Sequence, residues 1–429
     1  AKLAEFFPGK ILSLQPRVFN AIDLPNRILE HYKMFKMGEN IGYKTGNKQV
    51  EAETGVMFYT NGSFSKMLET MTDDDICEYS IIILDEAHEL DLLALFLHYR
   101  FKKFLDESGY RSDSPIFIVT SATFDQHHFA KYYGTENIYE VEGYTYPIEE
   151  RFLKYDTENY YTETANVIAT LPDPGDVLVF VAGQAEMDNV RRELVRRDIP
   201  DEAILELNKA IIDKGDKRFT KIFMSAEEMG VKRKIILATN VGETGITYPY
   251  LKIVVDTGYH KNNLYHCDYD VYTLKNEPIS WFSAQQRKGR VGRESPGIFY
   301  GIYSEETYRK LDQTPTVKIY QDNIDAIVPK YGNSIRELLY VPSEFSLWRS
   351  YEKLFLLGYI NSDLSVNPSY KILESANLTP EAVKIIITGY YWDVPINDLI
   401  VAAIATTQNQ IKYKSVFTAD VQCDFLTAV

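Results

Sequence analysis

The sequence predicts an α/β protein with two parallel-sheet units in tandem, followed by a smaller helical part. Three observations predict this. Short β-branched runs alternate with helix-period segments through most of the chain, the pattern of parallel strands covered by helices. The alternation stops after about Lys330, where helical patterns take over. A length of 429 residues gives room for two to four domains with sizeable cores.

In the first unit the strands are expected at residues 11–14, 57–59, 81–84 and 116–119, and in the second at 177–181, 235–238, 253–255 and 298–303. Between strands, Met187, Val190 and Leu194 recur at helical spacing beside Arg191, Arg192, Arg196 and Arg197, which reads as an amphipathic helix with a solvated basic face. Gly and Pro ahead of a polar, Tyr-rich stretch put the boundary between the units near residues 143–155. In the helical part, a helix over residues 354–357 ends at Gly358, a C-cap signal. Thr379-Pro380-Glu381 reads as an N-cap followed by Pro at the first helical position. No repeat with a period of 20 to 50 residues and no low-complexity tract is present.

Composition narrows the function. With 45% hydrophobic, 25% charged and 13% aromatic residues, the balance is globular and excludes disordered and fibrous classes. A net charge of −15 repels nucleic acid at long range, so any such contact must be local, through selected basic residues or main-chain amides. Cys77, Cys267 and Cys423 lie far apart without a CxxC pair, which argues against a disulfide framework or a zinc site and fits a reducing interior. No apolar run approaches the ~18 residues of a membrane span and no signal peptide opens the chain. The reading is a soluble intracellular protein of cytoplasm or nucleus, with no membrane partner. The start at Ala1, without Met, leads us to expect a fragment or a trimmed chain.

Two motifs carry chemistry. Asp85-Glu86-Ala87-His88 follows the apolar run 81–84, so both carboxylates would emerge at the C-terminal end of a buried strand, where α/β folds place ligands. An Asp there suits Mg²⁺, often held through water, and a Glu suits proton abstraction from an attacking water. An acid-rich helix N-terminus, favoured by the macrodipole, explains the same letters equally well. The second motif is sharper. Gln286-Arg287-Lys288-Gly289-Arg290-Val291-Gly292-Arg293 sets three arginines at a spacing of three, which suits a phosphate, since guanidinium groups supply forked donors. A solvated charge run explains it poorly, because Gly is costly on an ordinary exposed helix.

With these residues the chain resembles a superfamily 2 helicase of the DEAH-box (DExH) group. Gln15-Pro16-Arg17 resembles motif Ia, Thr60-Asn61-Gly62 motif Ib, Ser121-Ala122-Thr123 motif III and Phe180-Val181-Ala182-Gly183-Gln184 motif IV. Residues 239–247, Thr-Asn-Val-Gly-Glu-Thr-Gly-Ile-Thr, resemble motif V, and residues 286–293 motif VI. Some likeness to the poxvirus nucleoside triphosphate phosphohydrolase branch appears in the single-Arg motif Ia and in motif VI, so a viral source stays open. The resemblance implies tandem RecA-like domains at 1–145 and 146–328, a winged-helix domain at 329–394 and the start of a helical, ratchet-like domain at 395–429.

It also implies roles. Asp85 and Glu86 would serve the metal, with Glu86 as general base. Gln286 would orient the attacking water, while Arg290 and Arg293 would stabilise charge on the γ-phosphoryl. Arg27, Gly242, Thr244, Tyr259 and Arg287 would bind nucleotide, with Arg27 and Tyr259 sandwiching the base; a half-buried core Tyr is the alternative for Tyr259. His88, Ser121 and Thr123 would couple the nucleotide site to the nucleic-acid surface, although a lone His is as often a core or capping residue. Arg17, Thr60, Asn61, Gly183, Asn240 and Thr244 are candidate contacts to the sugar-phosphate backbone. Residues 262–278 alternate enough to be the hairpin with which the family parts strands, or an ordinary edge hairpin. Mg²⁺ and ATP, with other NTPs accepted, would be the cofactors, and single-stranded or partly duplex RNA the partner, with protein activators possible.

The sequence departs from the family pattern in places. No G-x-x-x-x-G-K-[ST] occurs; Gly42 and Gly46 lack the following Lys and Ser/Thr, and truncation ahead of Ala1 is the expected reason. Val18 follows Arg17 where a second Arg is usual, Asn61 stands for Asp, and Gly245 stands where Ser is common. The expected activity is an NTP-dependent RNA helicase or translocase moving 3′ to 5′. A nucleotide-independent RNA-binding scaffold and a DNA helicase with the same motor are the alternatives.

Overall fold

The computed structural model describes residues 2–406 except 8, 109–112, 122–125, 142, 144, 172–174, 214–216, 244 and 377. Two compact units divide it: Ala1–Asn262 with Lys275–Thr316, and Asn263–Leu274 with the chain from Val317 onward.

The first unit holds two lobes, each built on a six-stranded sheet. In the first lobe, β1 (Lys10–Gln15), β2 (Ile41–Lys44), β3 (Gln49–Val50), β4 (Val56–Thr60), β5 (Tyr79–Leu84) and β6 (Ile116–Val119) run in the order β3-β2-β4-β1-β5-β6. All neighbours are parallel except β2 and β3. Central strands of such a sheet are covered on both faces, which is why β1 and β5 read as near-continuous apolar runs. Ile11, Val56, Phe58 and Ile81 pack on one face with Phe35 and Ile41. Phe64 and Phe101, on the helices Asn61–Leu68 and Leu92–Ser108, are fully buried with ring centroids 6.2 Å apart.

The second lobe contains β7 (Ile148–Leu153), β8 (Asp176–Phe180), β9 (Ile204–Leu207), β10 (Ile235–Ala238) and β11 (Leu251–Asp256). A hairpin of β12 (Tyr259–His266) and β13 (Val271–Pro278) follows, and then β14 (Gly297–Ser304). The order β7-β14-β11-β8-β10-β9 is parallel throughout, and β12 and β13 form a separate two-stranded sheet. Strand alternation divides the core. Val177 and Val179 of β8 join Met187, Val190 and Leu194 of the helix Gln184–Val195, while Leu178 and Phe180 join Val254 and Phe299 on the other face. Each such side chain contributes about 1.5–3 kcal/mol through burial. The arginines of that helix are drawn into ion pairs: Arg191 with Asp201 and Glu206, and Arg196 and Arg197 with Glu193.

Every strand expected from the sequence is present, with ends shifted by one or two residues or not at all. The short strands β2, β3, β7 and β9 were not expected, because four residues or fewer, or the charged pattern of β7, carry too little periodic signal. The first compact unit ends at Thr316.

In the second unit the helices Val328–Tyr331, Glu344–Leu356, Tyr370–Ala376, Pro380–Tyr391 and Ile396–Thr406 dominate, with one antiparallel bridge between Ile360 and Val366. Gly358 follows the second helix at φ +77°, the left-handed C-terminal position foreseen for it. Thr379 caps Pro380–Tyr391 by accepting from the Ala382 amide at 3.2 Å. The tip of the hairpin belongs to this unit. Tyr272 donates to Asp322 Oδ1 at 2.6 Å, and the Tyr265 amide to the Gln321 carbonyl at 2.8 Å. Lys353 Nζ sits among Asp270 and Asp325, each at 2.8 Å, and Glu381. No helix among the described residues is long and apolar enough to cross a membrane. Cys267 is a free thiol, and Cys423 lies outside the described residues.

Candidate active site between the two lobes

A cavity of about 200 Å³ lies between the lobes. The first lobe lines it with Gln15, Asn20, Asp23, Leu24, Arg27, Asp85 and Glu86, and the second with Gly245, Ile246, Thr247, Arg290 and Arg293. It stands at the C-terminal ends of β1 and β5, where the strand amides run out and side chains must take over.

The acid pair is held firmly. Asp85 Oδ1 accepts from the Glu86 amide at 3.0 Å and the Thr120 hydroxyl at 2.6 Å, and Oδ2 accepts from Gln15 Nε2 at 2.9 Å. Three donors fix the carboxyl group in place. Glu86 adopts φ +51°, a left-handed backbone that a non-glycine residue enters only under constraint. Burial, then the neighbouring Asp85 and Glu89, push its carboxyl up to about 7, with Arg290 and Arg17 pulling the other way. A carboxyl poised there exchanges a proton readily near neutrality.

His88 connects the two lobes. Gln286 Nε2 lies 2.9 Å from His88 Nε2, and Ser121 Oγ 2.9 Å from His88 Nδ1. With the Gln286 amide donating to Nε2, the ring proton sits on Nδ1 and points to Ser121. Burial, above all, holds the His88 pKa below its ordinary value, so the ring is neutral. Its edge packs on Phe282 with centroids 5.0 Å apart.

The arginines of residues 286–293 divide between two jobs. Arg287 is fully buried inside the second lobe, bound by Glu243 at 2.7 Å and Asp256 at 2.6 Å, with its guanidinium 4.9 Å from the Phe180 ring centroid. It does not line the cavity, so its place differs from the nucleotide contact expected of it. Arg290 does line it: Nη1 donates to the Ile246 carbonyl at 2.9 Å, while buried Nε has no hydrogen-bond partner among the described residues. Burial, then Arg293, lower its pKa to about 10, still charged at neutrality. Arg293 lies exposed on the cavity rim.

The remaining candidates scatter. Arg27 lines the cavity and donates to Thr247 Oγ1 at 2.9 Å. Tyr259 does not; it stacks on Tyr160 at 5.3 Å, so no base sandwich with Arg27 is assembled in this arrangement. Gly242 packs inside the second lobe, its carbonyl accepting from Tyr248. Thr244 and Thr123 lie outside the described residues. Arg17 forms a two-pronged ion pair with Glu89 and donates to the Val241 carbonyl at 3.1 Å across the cleft, a more enclosed place than a strand contact needs. Thr60 caps the helix Asn61–Leu68, and Asn61 opens it, both buried. Gly183 starts the helix Gln184–Val195 beneath the Lys261 side chain, and Asn240 is exposed after β10. Gln15, Asn20, Asp23, Leu24 and Thr120 are the site residues that sequence reasoning missed. Gln15 was in view within Gln15-Pro16-Arg17, and nothing at the level of sequence singled out the others.

Two α/β lobes thus face each other across a cleft, with an acid pair on one and arginines on the other, the arrangement of a two-lobed NTPase motor. Residues 163–295 match the helicase conserved C-terminal domain. The "Putative RNA Helicase B962L" of African swine fever virus is 26% identical over 95% of this chain and 48% of its own length. The "ATP-dependent RNA helicase HrpA" of Escherichia coli is 33% identical over 76% of this chain and 25% of its own. The fold matches the crystal structure of the Escherichia coli DEAH/RHA helicase HrpB with a TM-score of 0.77 at 23% identity, covering 94% of this chain and 51% of that one. The chain spans about half or less of the relatives it matches. Together these matches support a superfamily 2 helicase of the DEAH-box group.

Proposed function

We propose that the chain is the motor region of an NTP-dependent RNA helicase or translocase, with the nucleotide at the cleft between its two lobes. The carrying observation is that Asp85, Glu86, Arg290 and Arg293 line one cavity from both sides. Hydrolysis then needs both lobes together, and strand movement is coupled to their closing and opening.

Glu86 accepts a proton from the attacking water, a task suited to its raised pKa. Gln286, held by His88, orients that water, and the His88–Ser121 bond ties this position to the turn after β6. Arg290 and Arg293 counter the charge that develops on the transferring phosphoryl group. Magnesium fits the first-lobe wall: the donors are hard oxygens, and the fully buried Gln15 Oε1 has no partner among the described residues. Asp85 and Glu86 would hold the ion, which would neutralise phosphate charge. Arg17, Thr60, Gly183 and Asn240 follow the C-terminal ends of β1, β4, β8 and β10 or close them, a rim suited to a sugar-phosphate backbone. RNA as the strand, 3′ to 5′ polarity and acceptance of several NTPs complete the proposal, and the names of the relatives support RNA and ATP.

The test is Mg²⁺-dependent NTP hydrolysis by the full-length protein with and without single-stranded RNA or DNA, alongside Glu86→Gln and Arg293→Ala. RNA stimulation that both substitutions abolish supports the motor. Binding of RNA without hydrolysis by the wild type would replace it with a scaffold.

A further inference from the structure

One stripe of the helix Val18–His31 meets the second lobe. Arg17, Asn20 and Arg27 are spaced by three and seven residues, which places them on one face. Arg17 reaches the Val241 carbonyl and Arg27 the Thr247 hydroxyl. Beside the stripe, Phe19 packs edge-on against Phe219, 5.5 Å between centroids, within the second lobe's core. The turn 241–247 is therefore gripped at both ends by this helix. Between these two grips stands Gly245, at φ +77°.

Asn20 faces that glycine. A Cβ built on Gly245 would fall 2.9 Å from Asn20 Cγ and 3.2 Å from Nδ2, and nearer still to Oδ1. Asn20 is 5% exposed, and its Oδ1 has no hydrogen-bond partner among the described residues. Hydrogen bonding therefore does not explain the approach. The amide simply occupies the volume that any other residue at 245 would need. We propose that Asn20 and Gly245 form a steric key that sets how closely the two lobes approach, which makes Asn20 a positioning residue for the closed cleft; this rests on the reading of the chain as a two-lobed motor. Because both residues also line the cavity, the spacing they set is the spacing between the acid pair and the arginines.

The test uses full-length protein with nitroxide labels at Lys66 and Arg196, exposed positions on the first and second lobes, and a non-hydrolysable ATP analogue with Mg²⁺. Gly245→Ala should lengthen and broaden the interlobe distance, and adding Asn20→Ala should return it toward wild type. Asn20→Gln, which lengthens the amide on an ordinary helical backbone, should open the cleft without touching the glycine. Strand-stimulated kcat should fall about tenfold or more in each opened variant and recover in the double, the scale one overpacked contact sets. A Gly245→Ala defect that Asn20→Ala does not relieve would trace to backbone strain and overturn the key, as would an unchanged distance in Asn20→Gln. If the wild type does not hydrolyse NTP, the motor reading fails, while the distances still decide the key.

Discussion

Replacing Glu86 by Gln should stabilise the fold, and increasingly so as the pH rises. In the folded protein burial and Asp85 let the Glu86 carboxyl keep its proton up to about 7, where the ordinary value is 4.5. The folded state thus binds the proton more tightly than the unfolded chain does. Its contribution is fully present below about pH 4.5 and is lost as the pH climbs to about 7. At 1.36 kcal/mol for each pH unit of that gap, the wild type gives up about 3 kcal/mol by pH 8 and roughly half of it by pH 5.5. Gln never ionises and keeps it all. For a chain of this size that is roughly 3–4 °C in Tm at pH 8. Differential scanning fluorimetry of both proteins at pH 5.5 and pH 8 reads it directly. A gain that is equal at the two pH values, or larger at 5.5, refutes the reasoning.

Further outcomes follow from the same geometry. Hydrolysis by the full-length protein should rise with pH as Glu86 gives up its proton, and a Glu86→Gln variant that keeps the wild-type rate and pH profile removes Glu86 as the base. Arg293→Ala should lower strand-stimulated kcat by about 10³ with an unchanged circular dichroism spectrum, because the side chain lies on the cavity rim and holds no part of the core. Arg287→Met should instead cost about 3–5 kcal/mol in chemical unfolding, because it leaves Glu243 and Asp256 buried without their cation. Lys353→Met should speed amide exchange in residues 263–274 by about tenfold or more, since it removes the cation shared by Asp270, Asp325 and Glu381.

The sheets were legible in the sequence because buried parallel strands are written as short apolar runs, and 81–84, 116–119 and 235–238 could hardly be anything else. Asp85 and Glu86 were legible for the same reason, as carboxylates at the end of such a run. Arg287 was not. Its spacing matches that of Arg290 and Arg293, and what separates it is a pair of acids, Glu243 and Asp256, 44 and 31 residues away. No local pattern contains that information. Asn20 was invisible too, since a polar residue in the first turn of a helix ordinarily faces solvent. Its importance comes from a glycine on the other lobe.

The hairpin interrupts the second lobe rather than ending it. Neither β12 nor β13 joins the six-stranded sheet, and the Asn262 amide donates to Glu277 at 2.8 Å across its base. A genetic deletion of residues 263–274, rejoined by a two-residue turn, would leave the Glu243–Arg287–Asp256 centre and every strand of the six-stranded sheet intact. Such a segment is an exchangeable cassette. Lineages, or protein engineers, can lengthen, swap or discard it without paying a toll in the lobe that carries it.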